Sequence, residues 1–87
     1  MEPSIHNGEL LLARRSTRGL VPGHVVVFTN PVRPHLVEIK RLIRESDGGW
    51  WVEGDNRDFS TDSRSYGSVD PSAIRGVVLR SLGNLLI

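Results

Sequence analysis

The segment I-K-R-L-I places Lys40 inside an alternation of apolar and polar residues over residues 36–41. In a β-strand of this sequence, Lys40 would share one face with Leu36 and Glu38. A lysine that reaches solvent along its aliphatic stem stays charged. A lysine held in an apolar pocket loses its proton more easily and, as a neutral amine, can accept a proton near neutral pH. The residues leave both interpretations open, and the second makes Lys40 a candidate general base.

A second candidate is the polar segment G-D-N-R-D-F-S-T-D-S-R-S-Y-G at residues 54–67, in which Asp and Arg alternate with hydroxyl residues. Such side chains often bond their own backbone in a surface loop. Loops of this length are uncommon inside compact domains, and many of them are functional. Asp62 and Arg64 are close enough in sequence to pair, and carboxylates with a guanidinium could support a neighbouring site through charge-assisted hydrogen bonds. Composition does not decide between the two interpretations.

The elements that would position these residues are short β-rich runs separated by turn residues, which predict a compact, mostly antiparallel β domain. The predicted strands are residues 10–13, 24–28, 36–45, 50–54 and 75–82. Asp47-Gly48-Gly49 predicts a hairpin between the third and fourth of these strands. D-P-S-A-I at residues 70–74 predicts a turn. A helix competes only over residues 39–45, where the flanking sequence favours a strand.

Length, charge and composition exclude several classes of protein. The 87 residues suffice for one domain, and a net charge of +1 gives no basic field for nucleic acid. The absence of cysteine excludes disulfides, thiolate catalysis and sulfur-ligated metals. His6, His24 and His35 show no metal-ligand spacing, so neither a metal nor another cofactor is expected. Without a long apolar run or a leader, the 87 residues are expected to form a soluble domain.

Three segments resemble, in order, the motifs of type I signal peptidases. G-D-N-R-D-F-S-T-D-S-R is similar to the signature G-D-N-x-x-x-S-x-D-S-R, and I-K-R-L-I to the lysine motif. M-E-P-S-I-H-N-G-E-L-L-L is similar to S-M-x-P-T-h-x-x-G-D without its first residue, with Glu9 in place of Asp. The short connection between the lysine and signature motifs resembles the short bacterial members, which include proposed maturation proteases for nickel superoxide dismutase. The resemblance implies a compact antiparallel sheet or partly closed barrel without the large inserted domain.

The resemblance also implies a Ser/Lys dyad, a recognised variant of serine-nucleophile catalysis. In it, Lys40 is the general base and Ser60 orients its amine. Asp62 and Arg64 form a supporting ion pair near Arg41. The turn beneath the site is formed by Gly54, Asp55 and Asn56. The residues beside the substrate groove, which selects a small-x-small pattern before the cut, are Met1, Pro3, Ser4 and Ile5.

The family motif places the nucleophilic serine immediately before the methionine that is Met1 here. Residues 1–87 are therefore expected to be a single catalytic domain that starts just after the nucleophile and is inactive by itself. Ser4 is a disfavoured alternative nucleophile because the family has threonine at that position. The full-length protein is expected to be a membrane-associated enzyme with an extracytoplasmic catalytic domain, or a cytoplasmic enzyme if it is of the superoxide dismutase maturation type.

Two other functions compete with a protease acting on a precursor polypeptide. One is a catalytically dead peptide-binding module, and the other is a self-cleaving repressor-type Ser/Lys domain, which lacks the signature segment. Trp50 and Trp51 are consecutive, so in a strand they face opposite sides. The exposed one would either rest at a membrane interface or pack under the C-terminal L-G-N-L-L-I, and packing is favoured. The sequence does not indicate an oligomeric state.

Overall fold

A computed structural model of the chain describes residues 3–4, 11–56 and 61–81. The strands are β1 (Pro3–Ser4), β2 (Leu11–Arg14), β3 (Val25–Thr29), β4 (Val37–Ser46), β5 (Gly49–Glu53) and β6 (Ile74–Ser81). A short helix, α1 (Ser63–Tyr66), and a 3₁₀ turn, Pro71–Ala73, lie between β5 and β6. The predicted mainly β fold is confirmed. Each of the five predicted strands is present, and both of its limits differ from the predicted ones by one residue.

The six strands form one antiparallel sheet in the order β1-β2-β6-β3-β4-β5. The last strand of the chain therefore lies in the middle of the sheet, between β2 and β3. Within the described residues β1 and β5 are the two edges and do not pair with each other, so the sheet is open rather than closed into a barrel.

One face of the sheet carries the core. Val26 of β3 lies opposite Lys40 on one side and Val77 on the other, and Leu42 of β4 lies opposite Val52. Cross-strand partners point to the same face, so Lys40 stands on the core face, a position that the alternation alone left open. The buried cluster consists of Val26, Phe28, Leu42, Trp50, Val52, Val69, Ile74 and Val77. Burial of each such side chain contributes about 1.5–3 kcal/mol relative to exposure.

The β4–β5 hairpin forms where the sequence predicts it. Asp47 and Gly48 connect the strands, with φ angles of 52° and 77°. Positive φ at both central residues is what a two-residue hairpin turn that matches strand twist requires. Gly49 begins β5 against the carbonyl of Val69, where a Cβ atom would collide with backbone. The D-G-G sequence is thus explained by two separate constraints.

The two tryptophans face opposite sides, as predicted. Trp50 is buried in the core, whereas Trp51 is partly exposed. The guanidinium carbon of Arg44 lies 4.7 Å from the Trp51 ring centroid, and the indole N–H donates to Glu53 over 2.8 Å. The C-terminal segment proposed to cover the exposed tryptophan lies outside the described residues. Among the helices that the structure describes, none has the length and apolar character to cross a membrane.

Candidate catalytic site

Lys40 is the only lysine in the chain, and β4 holds it at the border of the core. Its side chain is partly buried between positions occupied by fully buried apolar residues, with Val26 across the strand pair and Leu42 two residues along the same face. In the part of the chain that the structure describes, no carboxylate lies within ion-pairing distance of the Lys40 amine. The strand therefore presents one amine, without a fixed counter-charge there, next to apolar surface.

Glu38 precedes Lys40 on the same face, but its carboxylate is bound elsewhere. Asn30, a buried residue just after β3, donates its side-chain N–H to Glu38 Oε2. The Asn30 side-chain oxygen accepts from the backbone N–H groups of Val32 and Arg33, at 2.8 and 2.9 Å. Since Asn30 lies beyond the β3 residue paired with Glu38, this contact draws the carboxylate along the strand, away from Lys40.

Of the polar segment's carboxylates that the structure describes, Asp62 has the most hydrogen bonds. It accepts the Gly54 backbone N–H at 2.9 Å and the Arg64 backbone N–H at 3.1 Å, which caps α1. It also accepts a bidentate pair from the Arg64 guanidinium, at 2.9 and 2.7 Å. Burial acts to raise the pKa of Asp62, but the hydrogen bonds from Arg64 and Gly54 outweigh it and lower the pKa to about 2. The carboxylate is therefore ionised throughout the neutral range.

The same segment closes the outer edge of β5. The buried Ser63 hydroxyl accepts the Val52 N–H at 2.8 Å. Trp50 and Val69 exchange two backbone hydrogen bonds, each of 2.8 Å. The backbone N–H groups of Trp50, Val52 and Gly54, which alternate along this edge, therefore all donate to acceptors in residues 62–69. An edge strand otherwise presents unpaired backbone groups to solvent, so the polar segment acts as a partner for the sheet.

Arg41 points to the face opposite Lys40 and forms a second pair. Its Nε and Nη2 atoms donate to the two oxygens of Asp55 at 2.9 and 2.7 Å, and its Nη1 donates to the Gly23 carbonyl at 2.8 Å. The hydrogen bonds from Arg41 lower the pKa of Asp55, and those same bonds raise the pKa of Arg41. Arg41 thus joins the turn before β3 to the bend at residues 54–56, while Arg64 remains the partner of Asp62.

Several residues named by the resemblance cannot be placed in this geometry. Met1, Ile5 and Ser60 lie outside the described residues. Pro3 and Ser4 form β1, and three strands separate β1 from β4 in the sheet order. The two strands approach each other only to the extent that the sheet curls toward a barrel.

Three features of this region are not predicted by the sequence. The sequence favours a loop over the polar segment at residues 54–67, whereas a helix begins at Ser63. The signal was present, because Asp before S-R-S-Y is a typical helix N-cap. No role is predicted for Ser63, nor for the pair formed by Asn30 and Glu38, which depends on the register of β3 and β4. Among the described residues, no group of three or more His, Asp or Glu side chains is placed to hold a metal ion.

The geometry defines a mainly β domain in which a polar segment folds back on the edge strand β5. The neighbouring strand β4 carries a partly buried lysine at the border of the core. Sequence comparison relates it to known proteins. It is 36% identical to mitochondrial inner membrane protease subunit 1 of Xenopus tropicalis, over 87% of this chain and 59% of that protein. The human and mouse proteins of the same name are each 33% identical, over 87% of this chain and 60% of theirs.

The chain thus spans about three fifths of the length of these curated relatives. The alignments extend over 99 positions although they include 87% of an 87-residue chain, so the relatives carry extra residues within the aligned region. No family model matches the chain, and no solved structure matches it. The homology supports the resemblance to signal-peptidase-like proteins. The narrower resemblance to the short bacterial enzymes stays a prediction, since these relatives are mitochondrial.

Proposed function

We propose that the chain belongs to the catalytic part of a serine endopeptidase of the signal peptidase type. The reaction proposed is removal of an N-terminal signal or pro-segment after a small-x-small pattern. The proposal is supported by homology to three proteins named as protease subunits, together with the three motifs in the sequence. It concerns the whole protein, because the chain spans only part of the length of its relatives.

The observation that carries the proposal is the position of Lys40 on the core face of β4, beside Val26 and Leu42. In the proposed reaction its neutral amine takes the proton of a serine hydroxyl, and the alkoxide attacks the scissile carbonyl. The ammonium then gives the proton to the leaving amine, which leaves an acyl-enzyme. Water, deprotonated by the same amine, releases the acyl group and restores the serine.

Two anchors bracket the stretch that contains Ser60, the residue proposed to orient the amine. On the N-terminal side of Ser60, Asp55 is held by Arg41. On the C-terminal side, Asp62 is held by Gly54 and Arg64. These contacts hold the two described ends of the stretch in place. We therefore assign Asp62 and its partners a positioning role rather than a step in the chemistry.

The nucleophile in this proposal is the serine that the family motif places immediately before Met1. The 87-residue chain is then expected not to cleave peptides, whereas a chain extended upstream to include that serine is expected to do so. The relatives are named for the mitochondrial inner membrane, so we also propose that the whole protein acts at a membrane. Trp51, the partly exposed tryptophan, is the proposed contact of this domain, since Trp50 is buried.

The test is peptide cleavage by the upstream-extended chain, with products identified by mass spectrometry. A peptide with small residues at the first and third positions before the bond should be cut after the pattern, and a matched peptide with bulky residues there should stay intact. Replacement of the upstream serine by alanine should abolish the cut. Cleavage elsewhere would contradict the proposal. Peptide binding without cleavage would favour a catalytically dead peptide-binding module.

A further inference from the structure

A groove of about 420 Å³ lies between the loop that connects β3 to β4 and helix α1. The residues of its wall that matter here are Asn30, Val32, Arg33, Leu36, Glu38 and Tyr66. The volume is at the lower end of the range typical of small-molecule sites, which is enough for one or two amino-acid side chains. Neither the motifs nor the proposed reaction assigns it a role.

Glu38 places a fixed negative charge in this groove. Its Oε2 atom is held by Asn30, which is itself buried and bonded to the loop backbone. In the described part of the chain, its Oε1 atom accepts no hydrogen bond and forms no ion pair. Glu38 lies two residues from Lys40 on the same face, a separation of about 7 Å along a strand. The groove therefore includes a residue on the same face of β4 as the proposed general base, although Lys40 itself does not line it.

Apolar surface flanks this carboxylate. Val32 and Leu36 are 69% and 42% exposed, and both line the groove. Tyr66 lines the opposite wall, and burial, with smaller contributions from Glu38 and Asp62, raises the pKa of its hydroxyl. A ligand with an apolar stem and a cationic, hydrogen-bond-donating end fits these surfaces. The methylenes of a lysine or arginine side chain can pack on Val32 and Leu36 while the charged end meets the Glu38 carboxylate.

Arg33 is the opposing charge in the groove. Its side chain is exposed, so solvent and salt screen its charge, whereas Glu38 is partly buried and held in one orientation. The oriented carboxylate therefore dominates the charge that an incoming side chain meets. A glutamate in the ligand would gain only the screened contact with Arg33 and would be repelled by Glu38.

We propose that this groove is a subsite for a lysine or arginine side chain of the precursor polypeptide, with the Glu38 carboxylate as the partner of the cationic end. The inference rests on the proposed function for the identity of the polypeptide, but the contact itself does not require catalysis.

The test is binding of short fluorescein-labelled peptides to the 87-residue chain, followed by fluorescence anisotropy. The peptides carry the small-x-small pattern and a single lysine, moved one position at a time along an alanine background, with norleucine and glutamate peptides as controls. At one or two positions lysine should bind about fivefold more tightly than norleucine, the size expected of one partly exposed charge-assisted contact. Lysine and norleucine binding alike at every position would overturn the subsite, and so would a preference for glutamate.

Three variants assign the effect. Glu38→Gln keeps the shape of the side chain and should remove the lysine preference, whereas Arg33→Ala should increase it. Glu45→Gln neutralises an exposed carboxylate of the same strand outside the groove and should leave the preference intact. A preference that survives Glu38→Gln, or falls equally in Glu45→Gln, would contradict the assignment.

A fourth variant separates this inference from the proposed function. Lys40→Ala should bind the lysine peptide with the same preference over norleucine as the parent chain, whether or not the extended protein cleaves. If the lysine preference is retained but the extended parent chain does not cleave, the proposed protease function is contradicted and the proposed subsite is supported. If the extended chain cleaves after the small-x-small pattern but shows no lysine preference, the protease function is supported and the subsite is contradicted.

Discussion

Two aspartates of the polar segment each pair with an arginine, with nearly the same geometry and very different surroundings. Arg64 and Asp62, like Arg41 and Asp55, are joined by two parallel hydrogen bonds of 2.9 and 2.7 Å. The Asp62 side chain is 0% exposed and its arginine 32%, whereas the Asp55 and Arg41 side chains are 49% and 39% exposed. The difference between the pairs lies in burial and in additional donors, not in the contact itself.

This difference determines what each pair contributes. Asp62 is removed from water and therefore depends on all the N–H groups that replace its hydration, including those of the backbone. Breaking a buried pair leaves an uncompensated polar group, while an exposed pair exchanges its contacts for water at little cost. The Asp62 pair is thus part of how the segment folds onto β5. The Asp55 pair adjusts the position of a bend that is already at the surface.

Asp62→Ala is the strongest test of the difference in stability between the two pairs. The substitution removes the acceptor of the buried Gly54 N–H and the N-cap of α1, so we expect a loss of about 3 kcal/mol in the free energy of unfolding. Urea denaturation followed by tryptophan fluorescence measures it. Asp55→Ala is the matched control and should cost under about 1 kcal/mol. Equal losses from the two substitutions would show that burial does not distinguish the pairs.

Acid should distinguish the pairs in the same order. The pKa of Asp62 is lowered from its ordinary value of 3.8 to about 2 in the folded protein, so its stabilisation is complete above about pH 5. It is lost as the pH falls toward 2, a loss of about 2 kcal/mol. Urea midpoints of the parent chain should fall over this range, and those of Asp62→Asn should fall less. An identical acid dependence in parent and variant would contradict the assignment.

Ser63→Ala tests the edge contact beside the Asp62 pair. Without the hydroxyl, the Val52 N–H loses the acceptor that the structure shows, and we expect a loss of about 1–2 kcal/mol. Ser65→Ala, at an exposed position of the same helix, should change the stability by less than about 0.5 kcal/mol. Amide hydrogen exchange at Val52 should also accelerate relative to the rest of β5 in Ser63→Ala. Unchanged exchange there would mean that the hydroxyl does not protect this amide.

The smallest effect belongs to Asp55→Asn. The exposed pair with Arg41 should contribute under about 1 kcal/mol, and the difference between parent and variant should shrink further in about 1 M NaCl because salt screens exposed charges. Thermal denaturation at low and high salt checks it. A large loss that persists in high salt would place this pair in the same class as the buried one.

The sequence predicts the fold better than it predicts these contacts. Alternation of apolar residues over 36–41 and the D-G-G turn give the strands and the hairpin, because both signals are local. The burial of Asp62 and the choice of Asp55 by Arg41 depend on which strands are neighbours, which local patterns do not contain. Asn30 illustrates the same limit, since its role follows from the register of β3 and β4 rather than from the residues beside it.

In the candidate site, too, the sequence identifies some residues, whereas their contacts are visible only in the structure. The motifs identify Lys40 from sequence, and the structure adds that it stands at the border of the core beside Val26. The aspartate that anchors the signature segment is also recognisable from its motif, but its four hydrogen bonds are not. The catalytic roles of Lys40 and Ser60 remain predictions, and homology to the protease subunits supports them only at the level of the protein class.

The proposed reaction requires Lys40 as the general base, and a single-turnover experiment tests this role directly. The chain extended upstream to include the proposed serine is mixed in excess with a small-x-small peptide, and the rate of bond cleavage is compared with that of its Lys40→Ala variant. We predict a loss of about 10³-fold in the chemical step with peptide affinity unchanged, as expected when a proton acceptor is removed. A variant that cleaves within about tenfold of the parent rate would contradict the account.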